Sequence, residues 1–263
     1  MAFTTLDGVI ASLPGQQRSI LKTSLNGRGA GFFHSLWTAS GLPTAGAAPG
    51  SVNGTNPNAS TLGALTIANP AASNNLYLSK VSASASTTGT LIICDRLWAN
   101  SSLSGIVTTA QAWTPPTLTR KTDGEGVQAW IEVYAALGAT ATTATLSYTN
   151  SLGVAGKTAT ASIPTTAATG QIIPFTLSSG DTGIRTVASV TLAASTATAG
   201  NFGITLTENI ASIPIATANS GLVLDAFGLG LPLIEPNAAI ALMLLCSATT
   251  TGTIIADLNI SEG

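Results

Sequence analysis

Apolar and polar residues alternate with a period of two along much of this chain, the spacing of a strand with one face buried. The clearest stretch is residues 127–137. Val127, Ala129, Ile131, Val133, Ala135 and Leu137 fall on one face, with Gln128, Trp130, Glu132 and Tyr134 on the other. Residues 142–149 and 157–163 are rich in Thr and Ala and flank the turn signal Asn150-Ser151-Leu152-Gly153, so they read as a hairpin. Further strands are expected at 62–67, 76–81, 91–98, 171–177, 184–194, 202–208, 239–247 and 253–260. Gly-rich turns at 179–183 and 199–201 separate some of them.

With about ten to twelve short strands and no long helical period between them, the expected fold is all-β. It is an antiparallel β-sandwich or jelly roll over residues 62–263. Its expected core holds Ile92, Leu97, Ile131, Val133, Leu146, Ile163, Phe175, Val190, Leu192, Ile204, Leu206, Leu242, Leu244 and Ile255.

Residues 1–61 follow a different pattern. Leu6, Val9, Ile10 and Leu13 recur at helical spacing, with Thr5 or Asp7 to cap the start and Pro14 to stop the helix. So short a helix is unstable alone and must dock, on its own domain or on a neighbour. Phe32, Phe33, His34, Leu36 and Trp37 then cluster in a chain that is only 5% aromatic. Residues 40–61 run through Gly, Pro, Ala, Asn and Ser without periodicity and read as an extended arm. The expected division is therefore a helix, aromatic cluster and arm over 1–61, followed by the β-sandwich over 62–263.

Composition narrows the function. The 42 Ala, 40 Thr, 27 Gly and 26 Ser make up about half of 263 residues, and only 8% are charged. An ordinary domain carries roughly 25% charged residues. Nine Lys and Arg, scattered, form no basic patch, so nucleic acid is not the expected partner. The hydrophobic fraction of 45% argues against disorder. The longest clean apolar run, residues 238–246, is far short of the roughly 20 residues of a spanning helix, and no membrane is expected. The first residues lack a basic region and do not read as a secretory signal. Cys94 and Cys246 sit in apolar, strand-like runs, as two buried thiols or as one disulfide.

Catalytic patterns are sparse. A Ser–His–acid triad needs the single histidine, His34, and the adjacent Ser35 points the other way on a strand. One His and two distant Cys give no metal-ligand spacing. Asp123, Glu125 and Glu132 form a weak carboxylate group beside Arg120 and Lys121, and a solvated turn is the simpler reading. Asp95 and Arg96 read as a local ion pair at a strand end, or as a pair at a subunit contact. Trp113, beside Pro115 and Pro116, is the best sugar-stacking patch. The sequons at Asn53, Asn58, Asn100 and Asn259 carry no weight in a chain so rich in Ser and Thr.

A surface of Ala, Thr, Ser and Gly loses little side-chain entropy at a contact and suits large, permanent interfaces. The runs LIICDRLW (91–98), GEGVQAWIEVY (124–134), ATLSYTN (144–150), DTGIR (181–185) and AGNFG (199–203) are similar to a family of tailed-bacteriophage virion structural proteins. The resemblance covers nearly the whole chain, and none of its motifs is catalytic. It implies a non-enzymatic particle component, with a capsid decoration or cement protein on the head exterior fitting best. The implied partner is the major capsid protein or another virion protein, and the low-charge Ala/Thr/Ser surface points to further copies of the chain, as a homotrimer. No cofactor and no metal are implied. A receptor- or glycan-binding module is the alternative. The expected interface holds Phe32, Phe33, His34, Leu36, Trp37, Asp95 and Arg96. If the first 38 residues only anchor the protein to a lattice, the chain should fold without them.

Overall fold

The computed structural model describes residues 3, 5–13, 15–23, 29–71, 73–247 and 252–263. Pro14, expected to stop the first helix, lies outside them. The strands in chain order are Gln16–Lys22 (β1), Phe33–Ser35 (β2), Gly41–Leu42 (β3), Leu76–Ala85 (β4), Gly89–Ala99 (β5), Gln111–Ala112 (β6), Val127–Ala135 (β7) and Thr142–Asn150 (β8). They continue as Lys157–Ile163 (β9), Gln171–Pro174 (β10), Ile184–Leu192 (β11), Asn201–Ile215 (β12), Leu222–Leu224 (β13), Leu233–Ile234 (β14), Ile240–Cys246 (β15) and Ile254–Glu262 (β16). Two short helices are present, Leu6–Ser12 (α1) and Ala226–Leu229 (α2).

The all-β expectation holds: strands dominate, and every sheet is antiparallel. The strands form three sheets. The first runs β13-β4-β16-β1-β3, with β14 also on β4. The second closes into a six-stranded barrel, β10-β2-β15-β5-β12-β7. The third runs β6-β11-β8-β9. The barrel is the middle layer, since its strands supply residues to the cores beneath both outer sheets. Leu91 and Ile93 of β5 pack with Leu78, Val81 and Leu258 of the first sheet. Leu97 and Trp98 of the same strand pack with Leu146, Ala159 and Val190 of the third. The 15-residue β12 divides likewise: Ile204 and Leu206 face the third sheet, Ile213 and Ile215 the first. Its ladder with β5 shifts register between Leu206 and Thr207 and again between Asn209 and Ala211. Each bulge bends and twists the strand, so it can follow one core and then the other. A smaller cluster, including Trp37, Cys94, Trp130 and Met243, completes the interior.

Several elements differ from the sequence reading, each for a physical reason. β7 is buried on both faces, because Trp130 and Glu132 are enclosed as fully as Ile131 and Val133. Residues 62–67 form no strand, although Leu65 and Ile67 are buried and Leu65 bridges Ile240. β1 escapes a hydrophobic pattern because its sequence is QQRSILK and only Ile20 and Lys22 point inward. Ile255 is 55% exposed and leaves the expected core, whereas Ile254, Ala256, Leu258 and Ile260 fill it. Two adjacent isoleucines left the phase of that strand undetermined. Ile92 is only half-buried; the other twelve expected core residues are buried.

The first 61 residues are woven into the fold. β1 pairs along its whole length with the C-terminal strand β16. β2 lies in the barrel between β10 and β15. The arm is ordered by its own contacts: Thr55 bridges Ala99, and Asn100 donates to Val52 O at 2.9 Å. Removing residues 1–38 therefore strips a strand from each of two sheets, and the expectation that the remainder folds is withdrawn. α1 touches the rest of the fold lightly, at β16. Thr5 caps it, its side chain accepting from Gly8 N at 3.1 Å, and none of its residues is buried.

Candidate functional site

Of the seven residues expected at an interface, most are turned inward. Leu36 and Trp37 are 1% and 4% exposed. Trp37 donates its indole N–H to Ala47 O at 3.2 Å, and the arm presses on the ring so closely that a Cβ at Gly46 would lie 2.4 Å from Nε1. Glycine is the residue that permits this approach. His34 is buried beside Gly170, as a packed imidazole. Phe33 is half-buried, its ring edge-on to Trp130 with centroids 5.2 Å apart. Phe32, at 39% exposed, has the most surface of the group.

Asp95 and Arg96 are also buried, but not as a pair with one another. Adjacent residues on a strand face opposite sides, and each finds a distant partner. Arg120 grips Asp95 with two hydrogen bonds, Nε to Oδ2 at 2.7 Å and Nη2 to Oδ1 at 2.9 Å. The same guanidinium donates to the carbonyls of Pro57 and Arg96, and Asp95 accepts from Ala239 N at 2.8 Å. This pair fastens the arm and the start of β15 to β5.

On the other face, Arg96 Nη1 lies 2.7 Å from Glu132 Oε2. Nη2 donates to the Tyr134 hydroxyl at 2.9 Å, and the guanidinium carbon sits 4.6 Å from the Trp37 ring centroid. Ser35, Thr205 and Tyr134 all donate to the Glu132 carboxylate, at 2.6, 2.7 and 3.0 Å. Burial pushes this carboxyl up, but the Arg96 charge and the hydroxyl donors outweigh burial and hold it below its ordinary value. Burial, then the negative charge of Glu132, raises the Tyr134 phenol. Burial likewise raises the Cys94 thiol, and both cysteines are free. The sequence singled out Asp95, Arg96 and Glu132 but not their pairing, because each partner lies 25 or more residues away and the barrel brings them together.

The remaining chemical candidates disperse. Glu132 is enclosed in the barrel, while Asp123 and Glu125 stay on an exposed turn where Glu125 accepts from Thr182 at 2.8 Å. Among the described residues, no group of three metal-ligating side chains converges. Trp113 is 6% exposed, donates to Val187 O at 3.1 Å and packs against Trp98, so its face is not open to a sugar ring. Several large apolar side chains stand in solvent. Leu6 and Ile10 of α1 and its C-cap Leu13 are 54%, 55% and 36% exposed, and Leu21, Leu42, Leu62 and Ile255 are exposed in the first sheet and the arm beside it.

No family model matches the chain. No curated protein matches it either. Among solved structures, the VP2 subviral particle of infectious bursal disease virus aligns over 95% of this chain and 82% of its own, at 8% identity and a TM-score of 0.22. The Gt strain of the same virus aligns over 94% and 81%, at 9% identity and a TM-score of 0.19. Scores this low carry no argument about this chain.

Proposed function

We propose that this chain is a non-enzymatic structural component of a virus particle, a decoration protein on the outside of a tailed-phage head. There it bridges neighbouring capsid subunits as a homotrimer. The observation that supports this reading is the surface: apolar side chains stand exposed on α1 and the first sheet in a chain with only 8% charged residues. Contacts made by such a surface lose little side-chain entropy and meet little electrostatic repulsion. The strongest charge pairs, Asp95–Arg120 and Arg96–Glu132, are buried and bonded to one another. They hold β5, β7, β15 and the arm in register. None of α1's residues is buried, and its exposed apolar side chains supply an anchor, with Phe32 as a second.

The test is the abundance of the chain in purified particles, measured by densitometry against the major capsid protein. The reading expects a copy number in fixed proportion to the capsid lattice, with total burial above about 2,000 Å² per contact as in obligate interfaces. A few copies per particle, or none, contradicts it.

A further inference from the structure

β1 is paired on one side along its whole length, with β16, but on the other side only at its end. There β3 pairs Leu42 with Leu21 and Gly41 with Lys22. The next residue, Pro43, has no N–H to continue the ladder. Thr23 N donates to Ser40 O on this side. By the alternation of a strand, the N–H and C=O groups of Ser19 and Gln17 face the same way. Among the described residues, no backbone group pairs with them there.

This open edge is one wall of a groove of about 580 Å³, whose lining includes Gln17, Arg18, Ser19, Leu42, Thr44 and Leu62. Leu42 and Leu62 are 51% and 61% exposed. Arg18 is the groove's only charged residue. It donates to Thr66 O at 2.6 Å, Gln17 O at 2.9 Å and Gln16 Oε1 at 3.0 Å. Three bonds leave two of its five N–H donors unused. No carboxylate among the described residues pairs with it.

We propose that this groove receives an extended segment of a partner protein, which adds as a strand beside Gln17–Ile20 and sets a carboxylate against Arg18. Main-chain hydrogen bonds to Ser19 and to the Gln17 N–H supply affinity, since the Gln17 carbonyl already accepts from Arg18, and alternate apolar side chains lie against Leu42 and Leu62. The charge selects the occupant. A neutral strand leaves the guanidinium uncompensated, and a basic one is repelled. The groove belongs to the isolated chain, so the inference stands or falls apart from the proposed role on a particle.

The probe is a short capped peptide alternating Val and Thr around a central Glu. Its counterparts carry Gln at the centre or N-methylated backbone amides. Binding is followed by the NMR amide signals of the intact protein. The Glu peptide is expected to shift Gln17 and Ser19, the Gln peptide to bind about tenfold more weakly for loss of a charge-assisted bond, and the N-methylated peptide not to bind. Arg18→Gln should erase the preference for Glu, and Arg18→Lys should restore it. The proposal is overturned if no peptide shifts these amides, which would make Arg18 a guard of the edge. It is also overturned if the N-methylated peptide binds as well as its parent, or if the two amides are already protected in a concentration-dependent way, which would assign the edge to a second copy.

Discussion

The two outer sheets pack on the same barrel and present opposite faces to solvent. On the third sheet the outward positions carry hydroxyls in cross-strand rows. Thr145 lies opposite Thr160 and Thr191, Ser147 opposite Thr158 and Ser189, and Thr143 opposite Ser162. β-branched Thr suits such a pleated surface, and a hydroxyl row stays hydrated without charge. On the first sheet, Leu21 lies opposite both Leu42 and Ile255, and all three are exposed. The same sheet has the open edge of β1 and lies beside α1. One outward face carries hydroxyl rows throughout, whereas the other mixes polar rows, Ser19 opposite Asp257 and Gln17 opposite Asn259, with a single exposed apolar row. The difference teaches that scarcity of charge alone does not mark a contact surface; the exposed apolar row and the unpaired strand do.

The largest effect expected is on the first sheet's closure by the chain ends. Deleting residues 1–38 removes β1 and β2, so the product should lack a cooperative unfolding transition by circular dichroism. A folded truncation would show that the first sheet is dispensable. Next, Glu132→Gln leaves Arg96 charged and buried and should cost about 3–5 kcal/mol in denaturant unfolding. Leu146→Ala under the third sheet and Leu258→Ala under the first should each cost about 2–5 kcal/mol. Because β5 and β12 belong to both cores, either substitution should shift a single transition. Two separated transitions would show that the two sides fold independently.

Titration sharpens the comparison further. Glu132, held below its ordinary value, is less protonated in the folded chain than in the unfolded one. Its contribution is complete above the unfolded value of 4.5 and is lost as pH falls through the lower folded value. Glu132→Gln should flatten that acid limb. Lys22, buried in the first sheet, donates to the carbonyls of Ala39 and Pro43, and burial lowers it to about 8. Between about 8 and 10.5 the unfolded chain binds more protons, so stability should rise with pH there. Lys22→Met should abolish that rise. The smallest effects belong to the surfaces. Ile255→Thr and Thr145→Ala should each alter stability by no more than about 0.5 kcal/mol. Only Ile255→Thr, in the exposed apolar row, should weaken the proposed attachment to particles.

The third sheet was the more legible of the two. Its longer strands, β8, β9 and β11, lie between residues 142 and 192 and show the period of two plainly. The first sheet gathers strands from both ends and the middle of the chain. Of these, β4 and β16 were visible, whereas β1 hides its one buried side behind Gln, Arg and Ser. The aromatic cluster was recognised as an unusual feature, but composition does not tell a ring facing a neighbour from one packed under its own arm. Trp37 belongs to the second kind because Gly46 lets the arm lie on it. The ion pairs were illegible for a related reason: Asp95 and Arg96 are adjacent in sequence, yet the strand sends them to opposite sides.

The most direct test of the account is hydrogen exchange on the particle-bound protein compared with the free chain. The account predicts new protection in α1 and around Leu21 and Ile255, with the hydroxyl rows of β8 and β9 unchanged. Protection concentrated on β8 and β9, with α1 and β1 exchanging as they do in the free chain, would contradict it.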